Sequence, residues 1–193
     1  MQFLLTKATV VKFPRSPSSI PAFDRAGTYT KPRIFLHWLS AAIILWATFS
    51  GFGVVLLAPT DPFRQWVESF NPQITSLFIP FFAWRLWLAI KASPAHPRTT
   101  TQERLASVAH TAIYAAVTGV LITGVLMMSH PVLLLDLVPL PQLIHSKIAL
   151  LELHELHHVL CAILAGLVAL HLGAVVLHQL RGKPILDRMR LSR

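Results

Sequence analysis

Residues 156–180, LHHVLCAILAGLVALHLGAVVLHQL, run for 25 positions without an Asp, Glu, Lys or Arg, yet hold four histidines. At 1.5 Å rise per residue the stretch is about 37 Å long, ample for a hydrocarbon core of about 30 Å. A histidine inside a membrane helix is costly unless something binds it, so each one is a functional candidate. His157 and His171 stand 14 residues apart. That interval is four turns less about 40°, which puts both rings on one side of the helix, about 21 Å apart along it.

Three more spans flank this one. Residues 34–58 and 105–128 are equally free of charge, and Gly119 and Gly124 in the latter allow a close helix approach. Residues 74–90 form a shorter span that contains Pro80 and Arg85. Residues 131–144 are apolar too, but 14 positions with Pro139, Pro141 and Asp136 cannot cross a bilayer, so an interfacial or re-entrant segment is expected. With 54% hydrophobic and only 13% charged residues, against roughly 25% charged in a soluble domain, the expected fold is an all-α integral membrane four-helix bundle. The expected organisation is a basic arm at 1–33, a bundle at 34–180 and a basic tail at 181–193. The apolar stretch at 1–5 is too short for a signal peptide, so the arm reads as a soluble extension, partly disordered.

The formal net charge of +9 would by itself suggest a nucleic-acid partner. A mean hydropathy of +0.59 and basic residues spaced between apolar runs exclude that reading. Position explains the excess: fourteen Lys and Arg fall in the arm, in the loop between spans two and three, and in the tail, whereas the opposite loops hold only Arg64 and Lys147. By the positive-inside rule both termini are expected in the cytoplasm of a bacterial-type inner membrane, and the chain is multi-pass.

The spacing of His157 and His171 suits two haems stacked in a bundle, one near each surface, each held between facing helices. Cys161 is the single cysteine and no C-x-x-C-H occurs, so the haem would be non-covalent, of the b type. For His171 a partner imidazole exists in His37, near the same surface on span one; six-coordinate bis-imidazole iron suits electron transfer. His37 is only about 6 Å along its helix from Arg33 while His171 is about 15 Å from Arg181, a difference that a protruding fourth helix would absorb. For His157 the partner should come from the start of span two, where Asn71, Pro72 and Gln73 stand. The expected cofactor content is therefore at least one haem b, ligated by His37 and His171, with a second depending on His157.

Arg85 needs an anion inside the bundle, and no span contains an acid; a haem propionate would serve, while snorkelling to the headgroups is the alternative. Trp38, Trp46, Trp84 and Trp87 read as interfacial belt residues, and His110 and His178 as interfacial histidines near the cytoplasmic surface, with propionate or quinone contacts as the alternative. A rival motif, His154-Glu155-Leu156-His157-His158, satisfies the H-E-x-x-H pattern of a zinc metalloprotease, with His154 and His158 as ligands and Glu155 as base. It needs a third ligand, for which Asp136 is the available carboxylate.

Several features together resemble the bacterial cytochrome b561 family, which is related to the b-type cytochrome subunits of nickel hydrogenases and formate dehydrogenases. They are Arg33-Ile-Phe-Leu-His37-Trp38, Trp84-Arg85-Leu86-Trp87, His110-Thr-Ala-Ile-Tyr114, Gly124-Val-Leu-Met-Met128 and His157-x13-His171-x6-His178. The similarity covers roughly residues 31–190. It implies electron transfer between the quinone pool and a second redox partner, with superoxide oxidation coupled to quinone reduction as the best-defined activity. It implies His37 with His171 on the cytoplasmic haem, and His157 with an early helix-two histidine on the periplasmic haem. That helix-two position is Asn71 here, and the Glu that usually follows the first helix-four ligand is His158. Implied partners are quinone, membrane lipid, and a larger membrane complex or a second copy of the chain. The alternative reading is a single-haem, non-catalytic subunit of such a complex.

Overall fold

Three of the four long helices in this chain begin at side-chain caps, some of them well outside the apolar runs. The computed structural model describes residues 29–92, 100–134, 137–182 and 185–189. Most of the expected arm, together with His96, Asp136 and the last four residues, lies outside them. Helix α1 spans Lys31–Gly53, with Pro32 in its first turn. Helix α2 spans Pro62–Lys91 because Asp61 accepts from the Phe63 and Arg64 amides and Pro62 is pre-set for the first helical position. It therefore starts well before the apolar run at 74, and it holds both Pro72 and Pro80. Helix α3, Thr101–Leu126, opens on a complete capping box of Thr100 and Glu103. Helix α4, Lys147–Leu180, is capped by Ser146 and so extends nine residues ahead of the uncharged stretch at 156–180.

Between α3 and α4 the apolar segment at 131–144 forms a two-stranded antiparallel hairpin, with β1 at Val132–Leu134 and β2 at Val138–Leu140. Val132 pairs with Leu140 and Leu134 with Val138. Pairing the strands to each other satisfies backbone groups that an irregular apolar loop would leave open. Strand β1 lies against α2.

Close packing runs between α1 and α2, between α2 and α3, and most extensively between α3 and α4, whereas the backbones of α1 and α4 scarcely meet. The buried core is a thin layer of Phe78 and Phe82 from α2, Ala116 and Val117 from α3, and Leu164 from α4, flanked by Ile43 and Ile44 of α1. Elsewhere large apolar side chains point outward: Phe49 is 75% exposed and Leu170 74%. Four helices of this length and hydropathy, apolar on the outside, form a membrane bundle whose outer face is solvated by lipid. After α4 the chain turns at Gly182, with φ 74°, into a short 3₁₀ helix at Ile185–Met189. Trp38 Nε1 donates to the Met189 carbonyl at 3.0 Å, so this return ties the end of α4 to the start of α1.

The α3–α4 contact is closest at Gly119, where an added Cβ would lie 3.1 Å from Leu160 Cδ1. Gly119→Ala should be tolerated by a small shift of Leu160, whereas Gly119→Leu should lower stability by about 1–3 kcal/mol through overpacking. Thermal unfolding of the two variants in detergent micelles checks this, and equal melting temperatures would refute it.

Candidate functional site

Polar side chains inside the bundle gather at two levels, separated by the Phe78–Phe82–Leu164 layer. One level lies toward the end that carries both termini of the bundle, the other toward the hairpin.

At the terminal level, Arg85 of α2 places Nη2 3.1 Å from His37 Nδ1 of α1, and its guanidinium carbon lies 5.3 Å from the centre of the Tyr114 ring on α3. His37 is within electrostatic reach of His171 and His110 as well. The His110 and His171 rings meet edge-on, centroids 5.3 Å apart. The fold thus brings His37, Arg85 and His171 together from three helices. His171 reaches this level although α4 continues to Leu180, because α4 projects beyond it and the chain then returns to Trp38. Arginine can only donate, so in this contact Nδ1 of His37 is the acceptor and its ring proton sits on Nε2.

His110, expected near this surface, meets the His171 ring, and Tyr114 lies beneath Arg85, a role that the sequence alone does not assign. His110 and Tyr114 occupy one face of α3 at the i, i+4 spacing that could have signalled it. Arg33 Nη2 donates to the Leu88 carbonyl. The second expected interfacial histidine, His178, has Nδ1 buried without a hydrogen-bond partner among the described residues.

At the hairpin level, Thr123 donates to the Gly119 carbonyl at 2.8 Å. Its hydroxyl proton is committed there, so towards His157 Nδ1, 2.9 Å away, the same oxygen accepts. This arrangement goes with the Nδ1–H tautomer of His157, which carries its lone pair on Nε2. Gly124 makes room for this ring: a Cβ there would lie 3.4 Å from His157 Cε1. Asn71 faces α1, where Oδ1 accepts from Trp46 Nε1 at 3.0 Å and from Ser50 Oγ at 3.2 Å, and Nδ2 donates to Ser50 Oγ at 3.0 Å. Trp46, read from sequence as a belt residue, is thus part of a polar clamp between α1 and α2.

The zinc-protease arrangement is not assembled. His154 and His158 lie one turn apart on the exposed side of α4 with ring centroids 6.2 Å apart, and His154 Nδ1 is 3.1 Å from the Leu150 carbonyl. Among the described residues no third His, Cys, Asp or Glu joins them.

Between them the two levels hold imidazoles on apolar helices, at the terminal level a cation with no carboxylate partner among the described residues, and at the hairpin level a glycine beside a histidine ring, features that suit haem. Among curated proteins none matches the chain. A family model for prokaryotic cytochrome b561 matches residues 28–190. With that match covering most of a four-helix membrane bundle, the chain belongs to the prokaryotic cytochrome b561 family and is a bacterial membrane b-type cytochrome of electron transfer.

Proposed function

We propose that this cytochrome carries electrons between the quinone pool and a second redox partner through a haem b ligated by His37 and His171. The observation that carries this reading is the convergence of His37 from α1 and His171 from α4 around Arg85, on two helices whose backbones stand apart. A bis-imidazole centre changes oxidation state with little rearrangement, and its potential is set by ligand identity and nearby charge.

Arg85 supplies the charge. Ligation of iron through Nε2 of His37 would place the ring proton on Nδ1, so Nδ1 would no longer accept from Arg85. The guanidinium then needs another acceptor. None of the four spans offers a carboxylate, and a haem propionate would serve as its partner.

The charge distribution supports placing both termini, and with them this haem, on the cytoplasmic side. The Trp38–Met189 bond, which keeps the two ends of the bundle together, is consistent with that. If the hairpin level also held a haem, oxidation of superoxide with reduction of quinone would be open to the pair of levels: two superoxide ions would supply the two electrons that quinone accepts, with two protons taken up.

The decisive experiment is the optical spectrum of purified variants. His37→Ala and His171→Ala should each abolish the low-spin bis-imidazole spectrum of the cytoplasmic haem; a variant with an unchanged spectrum overturns the assignment. Copurification of a stoichiometric redox protein, with no superoxide or quinone activity in the isolated chain, would favour the subunit reading instead.

Arg85→Leu removes a positive charge that favours the reduced iron. The midpoint potential of the same haem should fall by about 50 mV, and Arg85→Lys should restore part of that shift, as read by redox titration.

A further inference from the structure

We propose that the hairpin level binds its haem through one imidazole only, His157, and leaves the opposite face of the iron open to a small diatomic ligand. This rests on the haem reading above but assigns a different coordination to the second centre.

Depth comes first. Helices α2 and α4 run in the same direction, and Arg85 and His171 are electrostatic neighbours. Asn71 and His157 each stand 14 residues earlier on their helices, about 21 Å along them. They therefore share a level, and Asn71 occupies the helix-two position from which a second axial ligand would come.

His157 is prepared to bind a metal. Thr123 fixes it as the Nδ1–H tautomer and orients the ring, leaving Nε2 as the free donor atom. This is the outer-shell arrangement that ligating histidines need. Gly124 admits the ring at a place where a Cβ would touch it.

Asn71 offers iron nothing comparable. An amide nitrogen has no lone pair available for ligation, and Oδ1 already accepts from both Trp46 and Ser50. One N–H of Nδ2 goes to Ser50, and the other remains for an acceptor at this level.

The remaining histidines of this end cannot substitute. His154 and His158 occupy the exposed side of α4, His145 precedes the Ser146 cap, and His130 lines a groove over the Ser69–Pro72–Gln73 face of α2, away from Asn71. A five-coordinate iron with an amide N–H at its level is a site for a diatomic that accepts a hydrogen bond, the class that includes dioxygen and nitric oxide.

Carbon monoxide is the probe. Haem stoichiometry and the ferrous-CO difference spectrum are measured on the purified full chain. Two haems per chain are expected, of which one is low-spin and indifferent to CO and the other responds. His157→Ala should remove the responding haem alone, and Thr123→Val should weaken its retention. Asn71→His should keep two haems and suppress the CO response more than tenfold, by completing the axial pair.

One haem per chain, or two low-spin haems with no CO response, overturns the proposal and leaves the His37/His171 centre standing. So does a CO response that survives His157→Ala. A chain that binds no haem overturns the functional reading itself.

Discussion

Everything in this bundle depends on the cost of placing a polar ring in hydrocarbon. Water cannot satisfy an imidazole or a guanidinium there, so each must find a partner on a neighbouring helix. The helices are consequently organised by two sets of such partners and not by their apolar surfaces, which are equally at home in lipid. Between the sets lies a layer of Phe78, Phe82, Ala116, Val117 and Leu164, packed as one buried cluster. Leu164 falls midway between His157 and His171, so one helical interval sets both the levels and the layer that separates them.

The two levels differ in the way their histidines are held. At the terminal level a cation donates to His37, a contact that iron ligation through Nε2 would dissolve. At the hairpin level a hydroxyl accepts from His157, a contact that ligation would leave intact. The asymmetry follows from donor chemistry: arginine has no lone pair to offer, whereas a threonine that has given its proton to a helix carbonyl has nothing but lone pairs.

The sequence makes the spans legible because lipid demands long uncharged runs, and 34–58, 105–128 and 156–180 stand out at once. It conceals where α2 and α4 begin, since the Asp61–Pro62 and Ser146 caps lie outside the apolar runs that hydropathy detects. His37, Arg85 and His171 are readable as a group because each is expensive alone. The roles of His110, Tyr114, Thr123 and Trp46 are not, because each has an ordinary interfacial or helical reading and acquires a partner only when a second helix is placed beside it. Asn71 is legible as a missing histidine, while its clamp to Ser50 and Trp46 is a property of the α1–α2 contact.

The apolar layer also has an electrical meaning. Two centres at these levels, as proposed, would lie about 21 Å apart along the helices, about two-thirds of a hydrocarbon core of about 30 Å. An electron passed from the hairpin level to the terminal level moves through that fraction of the transmembrane field. On the proposed orientation, with both termini cytoplasmic, such a transfer would run against an inside-negative potential and cost about 1.5 kcal/mol for every 100 mV. On that reading, the separation that Phe78, Phe82 and Leu164 maintain would make the redox poise between the two ends a function of membrane voltage.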